Sequence, residues 1–186
     1  DVLFSKLYFG FESAGLGFPF VDLSPASIAA GARASGLDEA VFLDICNGTI
    51  RILGDLYRYR KEPQEYPLDA WPDWTTARAL LRKYLEQCSI QNNVSLQPLL
   101  AELWQAVCGA AGHSSLILNP RRLLVRIALS KDPVWRCPSC RRPHLHRAGG
   151  VCTRCLAVLD SEPDATCEDL HRQNYYAEEA VEFRVP

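Results

Sequence analysis

The sequence predicts an α+β fold, mainly helical, and three observations carry the prediction. Up to Cys108, apolar side chains recur at helical spacing behind residues that favour helix starts. From Ser115 the period shortens to two around an Asn119-Pro120 turn. Two Cys-x-x-Cys pairs then stand eleven residues apart, Cys137/Cys140 and Cys152/Cys155, which is the ligand pattern of a small metal-binding hairpin. Together these predict a winged-helix-like middle followed by a C-terminal zinc ribbon. Four segments are expected: an N-terminal helical subdomain with an aromatic, Gly-rich start (1–70), helices plus a β-hairpin (71–130), the ribbon (131–165) and a tail (166–186).

In the opening stretch LYFGFESAGLGFPFVDL, Gly15-x-Gly17 lacks a third Gly and the Lys-Ser/Thr of a phosphate loop, so it reads as a loop or hairpin. Ser24-Pro25 is an N-cap with Pro at the first helical position, and Gly36 ends that helix after Ala34. Asp38 starts a second helix through Val41, Ile45, Ile52 and Leu56, which Gly48 is expected to break or bend. Lys61 to Trp74, with three prolines, reads as a linker. Trp71 and Trp74 anchor it to a neighbouring surface; a stacking platform for bases is the alternative. Thr75 or Thr76 caps a helix from Ala77 toward Cys88, and Ser95 caps another whose stripe is Leu99, Leu100, Leu103, Trp104 and Val107, ending at Gly109. Ser115–Ile117 and Leu123–Leu129 are expected to pair as the wing. Arg121 and Arg122 would stand at its tip, as phosphate contacts or as a solvated turn. Val134–Arg136 is a strand leading into the first Cys pair.

Each C-x-x-C turn presents two thiolates to one ion, and a short hairpin sets the second turn opposite the first. Cys137, Cys140, Cys152 and Cys155 then close a tetrahedron with Zn–S of about 2.3 Å. A closed site leaves no position for water, so one structural Zn2+ is expected. An iron–sulfur cluster also takes four Cys. A redox pair needs a thioredoxin-like layout that hairpin spacing fits poorly. His144 and His146 could ligate too, but with four Cys at hand the His-Leu-His alternation reads as a strand with both His on one face. Cys167-x3-His171 has no matching half and reads as a buried thiol and a surface His, while Cys46, Cys88 and Cys108 read as buried thiols. There is no H-x-E, G-x-S-x-G, Gly-Lys-Ser/Thr or DEAD-type box, so neither catalysis nor a small-molecule substrate is expected.

Net charge is −2, yet residues 121–155 hold eight Arg and one Lys against one Asp, a window of +8 on a remainder of −10. Arginines beside a Zn(Cys)4 centre offset its charge of about −2. Subtracting that still leaves +6, a surplus that favours phosphate contact. The expected contacts are Arg121, Arg122, Arg141, Arg142, His144, His146, Arg147 and Arg154; docking to protein is the competing use of such a ribbon. The apolar runs are too short to span a bilayer and no signal peptide opens the chain, so no membrane partner and a cytoplasmic location are expected. The absence of Met, even at position 1, reads as a piece of a longer protein or as a processed N-terminus.

VWRCPSCRRPHLHRAGGVCTRCLAVLD, then CEDLHRQNYYA, resembles a segment of large bacterial superfamily 2 DEAD/DEAH-box helicases of DNA-modification and phage-defence gene clusters. In that family a cysteine-bearing region lies between two RecA-like motor domains, and AGLGFPFVDLSP is similar to it as well. The resemblance is strongest over Val134 to Ala177. It carries Trp135, Cys137, Cys140, His144, His146, Cys152, Cys155 and Asn174-Tyr175-Tyr176. The motor motifs do not carry over, so this chain is not expected to hydrolyse ATP. The resemblance implies an accessory domain that grips or guides DNA, or couples the motor domains.

Overall fold

The computed structural model describes residues 10–59, 71–108, 115–119 and 122–173. The fold is α+β: one strand precedes the helices, short strands follow them, and the described residues form two small antiparallel sheets. Helix α1 (Pro25–Ser35) is capped where expected: Ser24 Oγ accepts from the Ser27 N–H at 3.1 Å, and Gly36 takes φ 75°. Helix α2 (Glu39–Asp55) runs straight through Gly48. That glycine makes room rather than a bend, because a Cβ there would overlap the Tyr84 hydroxyl. From Ile45 to Asp55 every residue of α2 is buried, which makes it the central element.

Helix α3 (Ala79–Gln91) begins later than expected because Asp73, not Thr75, organises the preceding turn. Its Oδ1 accepts from the N–H groups of Thr75 and Thr76 at 2.8 and 3.1 Å. Helix α4 (Leu96–Leu103) continues into a wide π turn, Trp104–Cys108. The two linker tryptophans are anchors. Trp74 Nε1 donates to Leu100 O at 2.8 Å, and the Arg58 guanidinium lies 4.0 Å from the centre of the Trp71 ring. One core joins Phe42, Ile45, Leu53, Leu81, Tyr84, Leu99 and Leu103 to Val21 and to Val151, which lies between the Cys pairs.

The expected wing does not form among the described residues. Strand β2 (Leu123–Ile127) pairs antiparallel with β1 (Gly17–Val21), with Phe18 opposite Arg126 and Val21 opposite Leu123. Residues 115–117 are not a strand; Leu118 makes a parallel bridge to Tyr59 instead. Pairing with β1 places Val21 and Leu123 together in the main core, a burial that a hairpin around Asn119-Pro120 would not supply. Arg122 is exposed at the entry to β2, and Arg121 lies outside the described residues.

The second sheet has the order β4–β3–β5, with β3 (Pro133–Arg136) between β4 (Pro143–His144) and β5 (Ala165–Thr166). The expected tail opens as helix α5 (Cys167–Gln173), where Asp169 Oδ2 accepts from the Thr166 N–H at 2.8 Å. Cys167 is buried, and His171 Nε2 lies 3.0 Å from Gly15 O. Residues 174–186, with Asn174-Tyr175-Tyr176, most of the linker and Gly109 lie outside the described residues. No described helix is long and apolar enough to cross a membrane.

Candidate metal centre

Cys137, Cys140, Cys152 and Cys155 converge, with all four Sγ atoms within 4.8 Å of one another. Cys137 Sγ lies 3.4 Å from Cys155 Sγ, and Cys140 Sγ lies 3.6 Å from Cys152 Sγ. A tetrahedron with metal–sulfur bonds of about 2.3 Å has edges of about 3.8 Å, so the thiols fit one ion. The two turns are built alike. Cys137 N–H donates to Arg142 O and Arg141 N–H to Cys137 O, both at 2.9 Å; Cys152 N–H donates to Ala157 O and Leu156 N–H to Cys152 O, at 2.8 and 3.1 Å. Each turn closes on a residue with positive φ, Arg141 at 60° and Leu156 at 67°. Arg154 N–H also points at Cys152 Sγ from 3.4 Å. Two equivalent knuckles facing each other leave no open ligand position.

After Arg141, which is exposed, the residues between the pairs turn into the protein rather than out to solvent. Arg142 Nη1 meets Asp55 Oδ2 at 2.6 Å. Arg51 Nη1 lies 2.6 Å from Glu12 Oε1 and 3.0 Å from His144 Nδ1, and Leu145 N–H donates to Glu12 Oε1 at 3.1 Å. His146 Nδ1 accepts from the Ala148 N–H at 3.2 Å, and Phe18 packs on its ring with centroids 4.8 Å apart. The Tyr84 hydroxyl donates to Ala148 O at 3.0 Å, and Asn92 Nδ2 to Gly149 O at 2.9 Å. Gly149 takes φ 65° and lies so close to Ile45 that a Cβ would overlap it. Burial, then the cationic guanidiniums of Arg51 and Arg142, holds His144 well below its ordinary pKa. Burial raises the Glu12 carboxyl despite Arg51, and lowers Arg51 to about 10.

Three of the eight expected contact residues are therefore interior. His144 and His146 are buried and outside the ligand set, and Arg142 is spent on Asp55. The reason lies on α2, where Asn47, Arg51 and Asp55 recur every fourth residue and are buried. Buried charge needs a partner, and this loop together with Glu12 provides it. Polar residues at helical spacing within EAVFLDICNGTIRILGD are the signal that would have revealed the contact. Arg141 and Arg154 are exposed; Arg147 is half-buried, with Nε donating to Asp160 O at 3.1 Å.

The buried imidazoles predict acid sensitivity. Burial is the main cause that lowers His146 to about 4 from its ordinary 6.5. Between those values the unfolded chain binds the extra proton, so stability is complete above 6.5 and is lost as pH falls toward 4. For this one group the shift corresponds to about 3 kcal/mol. Urea midpoints measured from pH 4 to 7 should climb less steeply in His146→Gln than in the wild type; equal slopes would show that His146 does not set this dependence.

No family model, curated protein or solved structure matches the chain. What the centre does must come from its own geometry.

Proposed function

We propose that the chain is a non-catalytic accessory module, stapled by one structural zinc, that binds nucleic acid through the arginines left in solvent around the metal. Four thiolates at tetrahedral spacing suit zinc, and with no open position the ion organises the fold rather than activating water. The observation that carries the binding is the pair Arg141 and Arg154, exposed on the two knuckles of a single centre. Removing Arg142, neutralised by Asp55, and the two negative charges of a zinc tetrathiolate leaves +5 of the window's +8. That remainder favours a polyanion. The resemblance to the region between helicase motor domains points to DNA, with ATP hydrolysis belonging to those motors and not to this chain.

Metal analysis should give one zinc per chain; iron would overturn the assignment. Binding of single- and double-stranded DNA should weaken steeply with salt, with a log–log slope of about −0.7 to −0.9 for each phosphate neutralised. Arg141→Ala with Arg154→Ala should flatten that slope by about 2. No binding at low salt, or an unchanged slope, sinks the nucleic-acid reading.

A further inference from the structure

Among the described residues, apolar exposure is concentrated along one strand. Five of the eight exposed large hydrophobic residues among those described lie on or beside β2: Leu16, Leu124, Val125, Ile127 and Leu129. Leu124, Val125, Ile127 and Leu129 are 45, 38, 64 and 69% exposed, whereas the core aliphatics are nearly inaccessible. Scattered apolar residues need no explanation, but exposed apolar residues crowded along one strand point to a binding surface.

Among the described residues the same strand has an open edge. Its sheet has two strands, so β1 occupies one side of β2 and no described strand occupies the other. Ala128 N–H donates to Leu16 O at 3.0 Å and Phe18 stands opposite Arg126. Antiparallel bonds alternate along a strand, so Val125 and Ile127 direct their N–H and C=O groups away from β1. Such an edge is a template for another strand.

The charge around it selects the occupant. Arg122, Arg126 and Lys131 flank or lie in β2, and no acidic residue occurs between Glu102 and Asp132. A second copy paired edge to edge would bring the same cations together, which is unfavourable. Val125 and Ile127 face one side of the sheet, and Leu124 and Arg126 the other. We propose that the open edge of β2 docks an extended segment of a partner protein in which apolar and acidic residues alternate. The apolar set would lie beside Val125 and Ile127, and a carboxylate beside Arg126. This goes beyond the nucleic-acid reading and stands whether or not DNA binds at the knuckles.

The test uses the full chain and a fluorescein-labelled peptide, Thr-Glu-Val-Glu-Val-Glu-Thr, followed by fluorescence anisotropy. The peptide should bind saturably, and a version with lysine in place of glutamate should not. Val125→Pro removes an outward N–H while sparing the ladder to β1, and Arg126→Glu reverses the selecting charge. Each should weaken binding at least about tenfold at unchanged zinc content and melting temperature. If Val125→Pro does not fold, Ile127→Glu serves, because its side chain is solvent-facing and the added carboxylate repels the glutamate peptide. Failure of the glutamate peptide to bind, equal binding of the lysine peptide, or full binding by folded variants would each overturn the proposal. So would concentration-dependent dimerisation abolished by Ile127→Lys, which would assign the edge to a second copy.

Discussion

Chelating the metal is expected to melt the helical body together with the cysteine segment, in one transition. Val151 belongs to the main core, Ala148 O is held by Tyr84, and Gly149 is wedged against Ile45 of α2. The knuckles hold both ends of this stretch. A thiolate site of this kind contributes roughly 10–16 kcal/mol of metal binding at neutral pH, against about 5–15 kcal/mol for the net stability of a domain. Once the ion is gone, the loop and its polar partners on α2 have nothing to position them, and the helices lose one wall of their core. The measurement is the thermal melt of the far-UV helical signal, with and without excess chelator, and for Cys137→Ser. Both treatments should lower the midpoint steeply with a single transition. A helical signal that melts unchanged while only the cysteine segment becomes protease-sensitive would establish an independent ribbon over 131–165, the organisation expected from composition and spacing.

Arg51→Ala is expected to destabilise the protein by about 3–5 kcal/mol, because it strands a buried carboxylate. Arg51 is the hub: Glu12 lies at 2.6 Å and His144 at 3.0 Å from the same nitrogen, and both Arg51 and Glu12 are buried. Arg51→Met combined with Glu12→Gln should recover much of the loss, since removing both charges removes the desolvation penalty too. The pH dependence has a definite sign. Burial already raises the Glu12 carboxyl, and without Arg51 it rises further. A carboxyl raised in the folded state favours folding at low pH and loses that contribution as pH climbs through its folded value, so the deficit of Arg51→Ala relative to wild type should shrink on acidification. Urea denaturation decides it. A deficit below about 1 kcal/mol would mean that water replaces the guanidinium and that the network is peripheral to stability.

The features legible in the sequence are those decided within a few residues. Ser24 and Gly36 bound α1 because capping is local, and the spacing of Cys137, Cys140, Cys152 and Cys155 already specified a closed four-thiol site. Where neighbours in sequence and in space differ, local patterns misled. Leu123–Leu129 reads as a strand and Leu123–Ile127 forms one, but its partner lies at Gly17–Val21, chosen by the core that the pair helps to close. The basic, His-containing loop was recognisable as charge, yet charge carries no direction. Its direction came from α2, whose buried Arg51 and Asp55 have to be satisfied and draw His144 and Arg142 inward, leaving Arg141 and Arg154 outside. Helix caps and chelating turns are short-range and survive in any fold. Which face of a strand or loop meets water is settled only when distant segments compete to cover the same buried surface.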